Sequence, residues 1–190
     1  MPTLDDVTWP RRTARLLLRR GRADDAAAGW AYNRHPDVVD WLTADADEAA
    51  YTARWSDPDW LPVRLVVELD GTMIGDVMLK IGDALAQPEV VEQAKGVQAE
   101  IGWTVDPAHQ GRGYGTEVAA ELLVIAFEEL GLRRVHASCF ADNVASWRVM
   151  EKIGMRRELA SKEEALHRTR GWLDGYEYAL LATEWRAIRT

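Results

Sequence analysis

The stretch Glu100-Ile-Gly-Trp-Thr-Val-Asp-Pro-Ala-His-Gln-Gly-Arg-Gly-Tyr-Gly-Thr-Glu117 decides how the rest of the chain is read. From Val97 to Val105 the side chains alternate. Val97, Ala99, Ile101, Trp103 and Val105 share one face; Gln98, Glu100, Gly102 and Thr104 share the other. A period of two predicts a half-buried strand. Asp106-Pro107 ends it, because proline donates no ladder hydrogen bond and restricts the residue before it.

Gly111, Gly113 and Gly115 then alternate with Arg112 and Tyr114 and lead into a helical run from Thr116 to Leu130. Glycine permits positive φ and a close backbone approach. A helix start offers unsatisfied N–H groups and the positive end of the dipole, a natural seat for phosphate. Arg112 adds a cation. These residues read as a pyrophosphate cradle, with an ordinary ligand-free turn as the alternative. Two other phosphate loops fit less well. A P-loop needs Gly-Lys-Ser/Thr, and no lysine follows these glycines. A dinucleotide fingerprint needs a third glycine where Thr116 stands, and its buried parallel strand would be continuously apolar.

Gln110-Gly-Arg-Gly113-Tyr-Gly115 resembles the Q/R-x-x-G-x-G/A acyl-CoA signature of the GNAT N-acetyltransferase superfamily. Glu100-Ile-Gly-Trp is similar to the branch typified by the ribosomal-protein alanine N-acetyltransferases, RimJ/RimL. Asn143-Val-Ala-Ser146-Trp-Arg148-Val-Met-Glu151-Lys152-Ile-Gly154-Met155 resembles that branch's N-x-x-S-x-R-V-x-E-K-x-G-F, with methionine for the usual aromatic. Trp172 to Trp185 resembles its closing strand. The resemblance implies an α/β (α+β) fold, three-layer α-β-α, around a mixed, largely antiparallel twisted sheet of about seven strands. It also implies one acyltransferase domain over residues 1–190.

Composition is compatible with this. Hydrophobic residues make up 47% and charged residues 28%, ordinary globular values. A single cysteine, Cys139, excludes an internal disulfide and points to the reducing cytoplasm. No apolar run reaches membrane-spanning length. The net charge of −8 argues against nucleic acid and favours a cationic acceptor.

Taken in order, residues 1–12 predict an irregular arm and Arg15–Arg19 a first strand. Ala23–Asn33 and Asp45–Trp55 predict helices, with Asp37 capping a short turn between them. Val63–Leu69 and Thr72–Ile81 flank Asp70-Gly71, a hairpin signal. Residues 82–96 hold a short helix near Pro88. Leu132–Phe140 predicts a strand parallel to the central one. A helix opens at Asp142 or Asn143 and ends at Gly154, and Met155–Leu159 returns as a strand. The charged residues 160–171 read as a loop, and Gly175–Glu184 as the last strand.

The resemblance implies acyl transfer from acetyl-CoA to an amine acceptor, a small molecule or a protein N-terminus. A larger donor such as succinyl-CoA, or a non-catalytic acyl-CoA-binding module, are the alternatives. An attacking amine must lose a proton, and Glu100, on the face left open by Gly102, is the candidate base; a surface or ion-paired glutamate is its plain alternative. By resemblance, the amides of Trp103, Thr104 and Val105 hold the pantetheine arm, and Gln110, Gly111, Arg112, Gly113, Tyr114, Gly115 and Thr116 hold the pyrophosphate. Ser146 stands where this branch stabilises the leaving thiolate, or is a first-turn helix serine. Asn143 contacts the pantetheine amides, caps its helix, or does both. Arg148 and Lys152 are solvated helix charges or phosphate contacts. Cys139 reads as a structural thiol. Five of nine tryptophans lie in the first third, and Trp30 and Trp41 are the candidate acceptor contacts beside a general packing role. The four histidines show no metal spacing, so no metal is expected. The family allows a homodimer.

Overall fold

The computed structural model describes residues 1–42 and 47–189. Its strands are β1 (Arg11–Arg12), β2 (Leu17–Arg20), β3 (Arg64–Leu69), β4 (Thr72–Gly82), β5 (Gln98–Val105), β6 (Arg134–Phe140), β7 (Arg156–His167) and β8 (Gly171–Leu181). They form a mixed eight-stranded sheet in the order β1-β2-β3-β4-β5-β6-β8-β7. β5 and β6 are parallel, while β1–β2, β2–β3, β3–β4, β6–β8 and β7–β8 are antiparallel. The strand beyond the expected number is β1, in the arm read as irregular, where Arg11 and Arg12 pair with Leu18 and Leu17.

The α-helices are α1 (Ala26–Asn33), α2 (Pro36–Val39), α3 (Glu48–Arg54), α4 (Tyr114–Val124), α5 (Val144–Lys152) and α6 (Ala182–Arg189). A 3-10 turn at Ala23–Asp25 leads into α1, and another spans Pro88–Ala94. α2 is capped by His35 Nδ1, 3.3 Å from the Asp37 N–H, and not by Asp37. Asp47 caps α3 through the Ala50 N–H at 2.8 Å; Asp45, the expected start of that helix, lies outside the described residues.

The chain resolves into two compact units. One comprises Thr8–Leu79 and Trp103–Val118. Here Asp70 (φ 50°) and Gly71 (φ 80°) turn the β3–β4 hairpin, the positive pair that a two-residue loop demands. Its interior includes Leu18, Leu65, Val66, Ile74, Val77 and Trp55, each fully buried.

The other unit comprises Met1–Val7, Lys80–Gly102 and Ala119–Thr190. Ala99, Leu122, Leu123, Ile125, Val135, Met150 and Tyr178 form its interior. Two expectations fail here. Residues 160–167 belong to β7 and are not a loop, and the last strand begins at Gly171. β7 is an edge strand, where charge is ordinary and discourages further pairing. Its charges find partners: Glu158 meets Arg134 at 2.7 Å, and Lys162 meets Asp174 at 2.6 Å. The chain also ends in a helix, α6, and not in the strand. The Leu181 N–H is taken by the Glu184 carboxylate at 2.8 Å, which closes the strand and starts the helix. Trp185 is buried on Phe127, ring centroids 5.9 Å apart.

Candidate functional site

In the first unit the end of β5 lies against β4 because residue 75 is glycine. A Cβ there would stand 2.3 Å from the Thr104 carbonyl oxygen. The Asp106 N–H donates to Ile74 O at 2.8 Å. Asp106 then shapes the turn: one carboxylate oxygen accepts the Ala108 N–H at 3.0 Å, and the other lies 3.3 Å from His109 Nδ1. Gln110 Nε2 donates to Val105 O at 2.8 Å, so this side chain closes the loop on its own strand.

Gly111 (φ 73°) and Gly113 (φ 82°) take the left-handed conformation that the sequence required glycine to provide. Space is open beside Gly111, and beside Gly113 only Arg15 Nη2 lies near, 3.5 Å from where a Cβ would sit. α4 begins at Tyr114, two residues before the expected start, so Tyr114 and Gly115 belong to the helix. Its first helical bond runs from the Glu117 N–H to Gly113 O at 3.0 Å. The amides from Gly111 to Thr116 have no acceptor among the described residues. This bare run at a helix start is a fit for a diphosphate. Trp103, Thr104 and Val105 lead into it, all half-buried, after the alternation ends at buried Ile101.

Sequence reasoning missed the clamp on this loop. The Glu117 carboxylate accepts the Thr13 hydroxyl at 2.5 Å, the Arg15 N–H at 2.9 Å and Arg15 Nε at 2.7 Å. Arg15 Nη1 donates to Arg112 O at 3.0 Å, and its guanidinium stacks 4.4 Å from the Tyr114 ring centroid. Burial raises the Glu117 pKa, but the hydrogen bonds from Thr13 and Arg15 outweigh it and hold the carboxyl below the usual range. No local signal marks these partners, which are about a hundred residues apart.

Trp30 packs on the cluster of Ala26, Tyr51, Trp55 and Val66, its ring centroid 5.4 Å from that of Tyr51. Trp41 follows α2, half-buried, its N–H on Val38 O at 3.1 Å. The same unit buries Asp76, which accepts the Tyr32 hydroxyl at 2.8 Å and pairs with Arg64 at 3.2 Å. Burial, then the charge of Asp76, pushes the Tyr32 pKa well above its ordinary value.

In the second unit, Glu100 is half-buried on β5 opposite His136. The β5–β6 ladder pairs Gln98, Ala99 and Glu100 with Arg134, Val135 and His136 and stops there, although β6 continues to Phe140. Asn143 caps α5, its Oδ1 accepting the Ser146 N–H at 3.1 Å. The Ser146 side chain bonds to the Cys139 thiol. Burial pushes that thiol up to about 11, against the opposing hydrogen bonds from Ser146 and the Trp147 N–H. Cys139 is half-buried, and at neutral pH it is a protonated thiol and a weak nucleophile.

Among the described residues no group of three or more His, Cys, Asp or Glu side chains is placed to hold a metal ion. No helix there is long and apolar enough to cross a membrane.

A mixed sheet with a bare helix start after glycines of positive φ defines an α/β class with an anion seat. The profile of the acetyltransferase (GNAT) domain matches residues 15–156, and the chain belongs to that family. The uncharacterized N-acetyltransferase YnaD of Bacillus subtilis (strain 168) is 44% identical over 86 residues, 45% of this chain and 50% of YnaD. The chain thus aligns with about half the length of that curated relative. The crystal structure of a GNAT-family acetyltransferase from Bacillus anthracis superposes with a TM-score of 0.76 at 29% identity, over 92% of this chain and 99% of that one. RimL, a ribosomal L7/L12 alpha-N-protein acetyltransferase solved in complex with coenzyme A, gives a TM-score of 0.72 at 17% identity. The match covers 89% of this chain and 95% of RimL, a likeness of fold.

Proposed function

We propose that this protein transfers an acetyl group from acetyl-CoA to a primary amine by direct attack in a ternary complex. The observation that carries the proposal is the run of unpartnered amides from Gly111 to Thr116, opened by the positive-φ glycines 111 and 113, in a chain of the GNAT family. Bound acetyl-CoA supplies an activated thioester. The loop amides hold its diphosphate, and the main chain of Trp103 to Val105 takes the pantetheine arm and the thioester oxygen. Asn143 assists the arm, Ser146 hydrogen-bonds at the sulfur, and Glu100 accepts the proton of the attacking amine. Trp30 and Trp41 contact the acceptor.

The finer reading follows the notable blocks Asn143–Met155 and Trp172–Trp185 to the RimJ/RimL-like branch, with a single domain over residues 1–190 working in the cytoplasm, as a monomer or homodimer. The branch favours a protein N-terminal α-amine as acceptor, and the net charge of −8 is compatible with a small cationic amine.

The test is incubation with acetyl-CoA, or succinyl-CoA, and a panel of amines and N-terminal peptides, following free thiol and product mass. Glu100→Gln is expected to lower kcat by about 10²–10⁴-fold with little change in coenzyme A affinity. A kcat that stays unchanged in the variant across pH removes Glu100 from the role. Coenzyme A binding without thiol release on any amine supports the binding-module alternative instead.

A further inference from the structure

We propose that Arg15 is a positioning residue for the diphosphate loop, setting the direction in which the Gly113 N–H points. The inference rests on the acetyl-CoA reading above and assigns a role to a side chain outside the glycine signature. The peptide between Arg112 and Gly113 is planar and trans, so its C=O and N–H point in opposite directions. Arg15 Nη1 draws the Arg112 carbonyl to itself at 3.0 Å. The Gly113 N–H is thereby turned away from Arg15.

The guanidinium is held at several points. Nε and Nη2 each lie 2.7 Å from Glu117 Oε2, and the plane stacks on Tyr114. Glu117 is itself gripped by Thr13 and by the Arg15 N–H. The turn before β2 therefore ties the loop to the first turn of its helix. The ion pair has a second effect. An unpaired carboxylate in the first turn of α4 would repel an arriving diphosphate, and Arg15 cancels that charge. Glycine alone allows the loop conformation and many others besides; Arg15 selects one of them. Binding then costs less ordering of the loop.

The test is calorimetric titration of the full chain with acetyl-CoA, together with steady-state kinetics. Arg15→Met is expected to weaken acetyl-CoA binding by about ten- to a hundredfold, the scale of a lost hydrogen bond to a charged group. KM for the donor should rise in parallel, while kcat at saturating donor stays near wild type. Arg15→Lys, which keeps the charge but not the fork, should recover only part of the affinity. A folded Arg15→Met that binds as the wild type does overturns the inference. Should that variant fail to fold, Arg15→Lys provides the second arm. It keeps the charge that pairs with Glu117 but lacks the second nitrogen that reaches Arg112 O, so KM should rise without loss of kcat, and unchanged KM overturns the inference. Wild-type protein that does not bind acetyl-CoA sinks the functional reading itself, a separate result.

Discussion

Helices α4 and α5 each follow a strand of the parallel pair and each begin after a tight turn, yet their first amides are treated differently. At α5 the residue before the helix is Asn143, whose side chain accepts the Ser146 N–H. At α4 the residue before the helix is Gly113, which has no side chain, and the amides around it remain bare. A side-chain cap stabilises a helix by about 1 kcal/mol. Doing without one leaves donors and a positive dipole end for a ligand. The first end is closed by its own side chain and the second is left open, and the unsatisfied groups mark which is which.

The sharpest way to break this comparison is to give α4 a cap. Gly113→Asp adds a carboxylate inside the proposed diphosphate seat, in a φ region that aspartate tolerates better than most residues. Acetyl-CoA affinity should fall by about a hundredfold or more by calorimetry, with the protein still folded. Wild-type affinity in that variant would end the distinction. The reverse change strips α5. Asn143→Ala should cost about 1 kcal/mol of unfolding free energy in denaturant. Wild-type coenzyme A affinity in that variant would leave Asn143 the cap alone and remove it from the pantetheine arm.

Acid should loosen the α4 end. The folded-state pKa of Glu117 is depressed, so its contribution is complete above the ordinary glutamate value of about 4.3 and is lost as pH falls below that, through the lower folded value. Thermal unfolding of Glu117→Gln should show a shallower loss of stability over this acid range than the wild type. The smallest effect concerns Cys139. With its thiol near 11, alkylation should be slow at neutral pH and quicken as pH approaches that value. Ser146→Ala removes a hydrogen bond that lowers this pKa, and should slow alkylation slightly.

Several elements were legible because their signals are local. Asp70-Gly71 announces the hairpin, Gly154 ends α5, and the period of two from Val97 to Val105 marks β5, although burial alternates only as far as Ile101. In β7 only Arg156–Leu159 is legible, because charge at residues 160–167 reads as a loop, and the edge position that makes a charged strand ordinary is a property of the sheet. α6 was missed because the change from strand to helix at Ala182 depends on where the ladder to β6 ends.

The candidate site divides along the same line. The glycines at 111 and 113, the strand before them and the helix after them are short-range features, and spacing alone identified them. The sequence by itself therefore determined a glycine-rich strand–loop–helix within an α/β chain. Only the tertiary structure decided that Thr13 and Arg15 hold this loop through Glu117, that Gly75 lets β4 lie against Thr104, and that the β5–β6 ladder stops at Glu100. Periodicity and turn chemistry act through neighbours a few residues apart. The clamp joins residues 102 positions apart, and chain folding alone brings such groups within hydrogen-bonding reach.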